Sequence, residues 1–170
     1  MATVKAFEDL KIWQRAREFS LNVYRLTMKG SFSKDWALKN QINEATGSVM
    51  DNIAEGFERE GNKEFINFLS YAKGSSGESR SQLHRALDRE HITEATFKEL
   101  MAESMRISSM ISTLMDYLKD SPYRGNKFHE PLEGYGNADE LLKDSALNEP
   151  YLERERTREV VETSNLKPQT

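Results

Sequence analysis

The sequence predicts an all-α protein: an antiparallel up-down-up-down four-helix bundle followed by a polar, flexible C-terminal tail. Three observations carry that expectation. Apolar residues recur at alternating three- and four-residue intervals in four successive segments, the period of one helix face. Turn-forming clusters separate the segments at Lys29-Gly30, Gly61-Asn62 and Glu90-His91-Ile92. No alternating strand pattern or hairpin signal competes with them.

The first helix is expected over residues 7–28, with Ile12, Ala16, Phe19, Val23 and Leu26 facing the core and Phe7, Leu10 and Trp13 forming an apolar lid at its start. Gly30 suits the left-handed residue after a helix end. Ser33 is the expected N-cap of the second helix, with Asp35 in its first turn, where the dipole favours an anion. Leu38, Ile42, Ala45, Val49 and Ile53 carry that helix to about Phe57. Asn62 is the expected cap of the third helix, whose seam runs through Phe65, Leu69, Ala72, Ser76, Ser79, Leu83 and Ala86. Its middle, Gly74-Ser75-Ser76-Gly77, is poor helix by propensity, so a neighbouring helix is expected to approach closely over the missing side chains. Thr93 caps the fourth helix, which runs through Phe97, Leu100, Ile107, Ile111 and Leu118 to a stop at Ser121-Pro122. Met101, Met105, Met110 and Met115 read as gap-filling core and near-core residues. Residues 1–122 are therefore the bundle. Residues 123–170, where Pro and Gly cluster and the apolar faces narrow, read as linker and acidic tail, disordered or ordered by a partner.

Composition narrows the function classes. The chain has 170 residues and no cysteine, which excludes disulfide and thiol chemistry. No apolar run reaches the roughly 20 residues of a membrane span, and the N-terminus lacks an apolar signal region, so a cytoplasmic protein is expected. Residues 1–124 hold 18 Lys+Arg and 18 Asp+Glu, while residues 125–170 hold 6 and 10, so the net charge of −4 sits in the tail. A neutral body gives weak support to nucleic-acid binding, which goes with a basic excess.

Chemistry-bearing patterns are sparse. Asp88-x-x-His91 is a single, aspartate-bearing version of the Glu-x-x-His pair used by bundle metal sites, and His84 and His129 lack an acidic residue three positions earlier. Gly74 to Gly77 is too short for a phosphate loop and lies within a helix. Serines 75, 76, 79 and 81 have no base within helical reach except His84, and no nucleophile elbow is present. Neither catalytic nor metal residues are assigned, no cofactor is called for, and a non-enzymatic protein is expected. A polar stripe does stand out. Gln41, Ser48, Asn52, Glu55 and Arg59 run beside the second helix's apolar face, matched on the third by Tyr71, Ser75, Glu78, Gln82 and Arg85. It reads as a polar network within the bundle or as a subunit interface, in preference to a ligand-binding groove. Lys11, Arg15, Lys63, Lys73 and Arg80 are the candidate nucleic-acid contacts, against a reading as a solvated mixed-charge face.

Several runs together resemble a known family: Phe7-Glu8-Asp9-Leu10-Lys11-Ile12-Trp13, Gln41-Ile42 with Ala45 and Ser48-Val49, Asn52-Ile53-Ala54-Glu55-Gly56, Glu64-Phe65, and Ala72-Lys73-Gly74-Ser75 with Glu78. In order and spacing they are similar to the four-helix-bundle proteins encoded in intervening sequences of the 23S ribosomal RNA gene, over about residues 7–119. The resemblance implies an up-down bundle that assembles with itself as a ring, typically a homopentamer, without established enzyme activity. A related branch, the accessory proteins of diversity-generating retroelements, binds nucleic acid and a reverse transcriptase through a basic surface. That implies RNA or a ribonucleoprotein as the alternative partner. Glu44 stands where the family commonly has arginine and Gly47 where a larger residue is usual, which weighs against that alternative.

Overall fold

The computed structural model describes residues 4–59 and 61–121. Four α-helices account for most of them: α1 (Lys11–Thr27), α2 (Trp36–Glu58), α3 (Asn62–Asp88) and α4 (Glu94–Asp120). There is no strand among the described residues. The tail expected over residues 123–170 lies outside them.

Neighbouring helices run antiparallel, as cross-helix partners show. Ser20 meets Thr46, and Asn43 donates to Thr27, between α1 and α2. Arg85 reaches Gln41 and Ser75 reaches Ser48 between α2 and α3. Asn62 reaches the Leu118 carbonyl, and Ser76 meets Ser104, between α3 and α4. In each pair one partner's number falls as the other's rises. The contact between α2 and α3 is the most extensive and that between α1 and α4 the least.

The apolar stripes read from the sequence form the core. Ile12, Leu38, Ile42, Val49, Ile53, Leu69 and Ile111 are wholly removed from solvent. Met101 and Met110 are buried, and Met105 and Met115 half-buried, as the gap-filling reading expects. Small hydroxyl residues serve where α3 and α4 come together. The Ser76 hydroxyl lies 2.9 Å from that of Ser104 and 3.1 Å from its carbonyl, and Ser104 donates back to the Ser76 carbonyl at 3.2 Å. Both serines are buried, and the reciprocal bonds satisfy them there.

Several expectations are corrected. The first helix does not run unbroken from residue 7: Phe7–Asp9 form one 3₁₀ turn, and extended Leu10 precedes α1. The break lets Leu10 bury completely while Phe7 and Trp13 meet edge to face at 5.0 Å. Ser33 is not the cap of α2. A 3₁₀ turn, Phe32–Lys34, buries Phe32, and Asp35 follows it as the cap, its carboxylate accepting from the Leu38 N–H at 3.2 Å. Asn62 is not the cap of α3 either. Extended Gly61 precedes the helix, and Asn62 is its first residue, with its amide turned to α4. Thr93 does cap α4, accepting from the Thr96 N–H.

The largest correction concerns the glycines. A Cβ added at Gly74 would meet nothing within 4 Å, and one at Gly77 only the Arg80 guanidinium at 3.7 Å. No neighbouring helix of this chain closes over Gly74 or Gly77, although Ser75 and Ser76 between them bond to α2 and α4. The close approach lies at Gly56, where a Cβ would come 2.6 Å from the Phe68 Cβ and 2.9 Å from the Phe65 ring. The Gly56 backbone therefore packs directly on α3, which sets the closeness of the α2–α3 seam.

Candidate functional site

The α2–α3 face carries the polar stripe. Its centre is a half-buried cluster in which Ser75 donates to the Ser48 hydroxyl at 3.1 Å, and the Asn52 amide donates to the same hydroxyl at 3.0 Å and to the Ser48 carbonyl at 2.7 Å. At one end Arg85 donates to Gln41 at 2.7 Å. At the other, exposed Glu55 and Arg59 pair along α2 at 2.6 Å, with the Arg59 guanidinium over the Phe68 ring. Hydrogen bonding to Glu55 raises the Arg59 pKa. Gln82, the one deeply buried member, donates to Glu78 at 3.2 Å, and its amide oxygen has no partner among the described residues. The fold thus joins Ser48, Asn52 and Ser75 across the seam and Gln41 to Arg85. Glu55–Arg59 and Glu78–Gln82 are pairs within single helices.

The five basic candidates do not form one surface. Arg15 is neutralised by Glu103 across the α1–α4 seam at 2.8 Å, and Lys11 bonds Gln14 on its own helix. Lys63 is exposed in the first turn of α3. Lys73 and Arg80 lie two turns apart on α3, and both reach α4 hydroxyls: Lys73 that of Ser112 at 2.6 Å and Arg80 that of Ser108 at 3.4 Å. Burial lowers the Arg80 pKa, and no carboxylate pairs with it or with Lys73 among the described residues.

A third cluster, not anticipated from the sequence, ties two loops at one end of the bundle. The α3 C-terminus closes with the Glu90 N–H on the Leu87 carbonyl and the His91 N–H on the Ala86 carbonyl, and Glu90 takes φ 55°. That is the double bond of a left-handed helix cap with a non-glycine residue in the strained position. The reversal turns His91 back toward α2. Its Nε2 lies 3.0 Å from Asp35 Oδ2 and its Nδ1 2.9 Å from the Ser31 hydroxyl, while Phe32 stacks on the ring at 5.0 Å. Arg89 pairs with the same Oδ2 at 2.5 Å. With the proton on Nε2, His91 donates to Asp35 and accepts from Ser31. Hydrogen bonds from His91, then Arg89, then the Leu38 N–H hold the Asp35 carboxyl well below the ordinary carboxylate range. One oxygen caps α2 and the other binds two α3–α4 loop residues, so the carboxylate works as a fastener. Asp88 is exposed and takes no part. Among the described residues, no three His, Asp or Glu side chains are placed to hold a metal.

These features define an all-α up-down bundle with a polar α2–α3 face and polar fasteners at its seams. The chain belongs to the 23S rRNA-intervening sequence protein family, whose sequence model matches residues 8–113. In fold it is similar to the crystal structure of a protein of unknown function, from the S23 ribosomal protein family of Bacteroides thetaiotaomicron. That similarity has a TM-score of 0.56 at 20% identity and covers 61% of this chain and 97% of the other. No functionally curated protein matches the chain. No helix among the described residues is long and apolar enough to cross a membrane.

Proposed function

We propose that this chain is a non-enzymatic, self-associating bundle that works by contact, as a homo-oligomeric ring of five copies. The observation that carries the reading is an apolar stripe on α1 that the bundle does not use. Leu21, Tyr24 and Met28 recur at helical spacing with 44–50% of their surface exposed, and Trp36, just beyond in sequence, is 71% exposed. Tyr71, 53% exposed, stands beside the small residues of the α2–α3 face. Two unlike faces on one protomer suit head-to-tail contacts, which close into a ring when the rotation allows. Light scattering on a size-exclusion peak tests it. Five copies of 19.6 kDa give about 98 kDa, and Tyr24→Glu is expected to shift the mass toward one copy. A wild-type mass near 19.6 kDa overturns the reading.

A second reading, contact with RNA or a ribonucleoprotein, is favoured by Lys73 and Arg80, two cations on the α3–α4 face that pair with no carboxylate among the described residues. Phosphate contacts make such binding fall steeply with salt. Failure to retain RNA even near about 50 mM salt overturns it.

A further inference from the structure

Lys73, Gly77 and Arg80 occupy successive turns of one α3 stripe, with a glycine between two cations. Both cations lean onto α4, where Ser108 and Ser112 stand one turn apart, about 5–6 Å between their Cβ atoms. The guanidinium and the ammonium therefore converge on one short length of α4. Each is bonded to a neutral hydroxyl, where paired seams elsewhere, such as Arg15–Glu103, supply a carboxylate. Arg80 is half-buried, and desolvation is the cause of its lowered pKa. A charge drawn from water without a counter-ion is costly, and an anion beside it removes that cost. Gly77 keeps the space clear: an added Cβ would stand 3.7 Å from Arg80 Nη2, so a longer side chain would fill the ground between the cations. No packing against a neighbouring helix accounts for a glycine at this helix-interior position.

We propose that Lys73 and Arg80, across Gly77 and with the hydroxyls of Ser108 and Ser112, form a binding site for a phosphate-type oxyanion. Arg80 offers a planar fork that matches two phosphate oxygens, Lys73 a point charge, and the Ser108 hydroxyl a rotatable donor to a third oxygen. The Ser112 hydroxyl joins it by turning from the Ser108 carbonyl to which it now donates. The phosphate has two sources, a free phosphate compound or the phosphodiester backbone of RNA. The site does not depend on self-association, and it stands if free phosphate binds while the RNA reading fails.

Thermal denaturation of the full chain, with orthophosphate replacing chloride at constant ionic strength, tests the first source. Binding to the native state raises the midpoint as phosphate increases. Fluorescence anisotropy with a labelled single-stranded RNA tests the second. Two variants read both arms. Arg80→Met removes the fork, and Gly77→Leu fills the space while improving helix propensity, so it is expected to fold at least as well as the wild type. A midpoint rise in the wild type that both variants lose supports the site with free phosphate as its ligand. RNA affinity that falls at least about tenfold in both variants, with no orthophosphate response, supports it with a phosphodiester ligand. The proposal is overturned if neither probe acts on the wild type. It is equally overturned if either response survives both substitutions.

Discussion

The α2–α3 hairpin carries interior glycines in both of its helices, and they answer to opposite physics. At Gly56 the backbone of α2 lies against Phe65 and Phe68, and the missing side chain is what permits the contact. At Gly74 the helix faces open space, and at Gly77 it faces only the end of a flexible arginine. One glycine is a packing requirement of the monomer. The others lower helix propensity without any compensating contact inside the chain. Identical residues in equally amphipathic helices therefore carry no common meaning until the neighbouring helix is placed.

Substitutions at the two kinds of glycine separate these cases most sharply. Gly56→Leu is expected to prevent the hairpin from closing, and Gly56→Ala to cost on the order of 1–3 kcal/mol by overpacking. Urea unfolding followed by circular dichroism measures both. An alanine variant as stable as the wild type would mean that α3 yields freely, contrary to its buried Phe65. Gly74→Leu, which a close-packed reading of that run condemns, is instead expected to leave the fold intact.

Next in size is the strained cap of α3. Glu90→Gly relieves a left-handed residue and is expected to stabilise by about 1 kcal/mol. A fall in the unfolding midpoint would show that the Glu90 side chain holds something more valuable than the strain it costs. Of similar size but opposite sign, Ser76→Ala removes the bonds of the buried Ser76 hydroxyl to Ser104, whose own hydroxyl keeps the Ser76 carbonyl, and should cost about 1 kcal/mol. Gly74→Ala should gain roughly 0.5–1 kcal/mol in the same unfolding measurement. If that gain comes with loss of the high-mass species in light scattering, the open space at Gly74 is where a second copy sits.

The smallest effect is specific to acid. Asp35 has a lowered native pKa, so its fastening contributes fully above the unfolded carboxyl value of about 3.9 and is lost as pH falls from there toward the native value. Solvent near the pair screens it, which keeps the effect modest. Asp35→Asn should flatten the fall in thermal midpoint below about pH 4 and leave a lower midpoint at neutral pH. An unchanged acid limb would show that other carboxyls set it.

Much of this architecture is legible in the sequence because amphipathic period is a local property. Ile12, Ala16, Phe19 and Val23 must face one way in any helix that holds them, and the same holds for the stripes of α2, α3 and α4. The Thr93 cap and the Gly30 turn are local as well. The misassigned caps mark the limit of local reading. Ser33 and Asp35 are both good caps by residue type, and the burial of Phe32 in the core chose between them.

The candidate site is less legible, for a related reason. The polar stripe of Gln41, Ser48, Asn52 and Ser75 could be drawn from helical spacing, but not its division into Ser48–Asn52–Ser75 at the centre and Gln41–Arg85 at the end. Arg15 and Arg80 read alike in the sequence; Glu103 cancels one, and nothing in the described chain cancels the other. Asp35 and His91 are 56 residues apart, and no periodicity links them.

By itself, then, the sequence determined four helices, their inward faces and the family to which they belong, because each follows from intervals of three and four residues or from short runs read in order. Tertiary structure alone decided which glycine is packed and which is open, which cation is neutralised, and that a cap of α2 would also fasten the α3–α4 loop. Those outcomes depend on distances between segments remote in sequence, which exist only once the helices have packed.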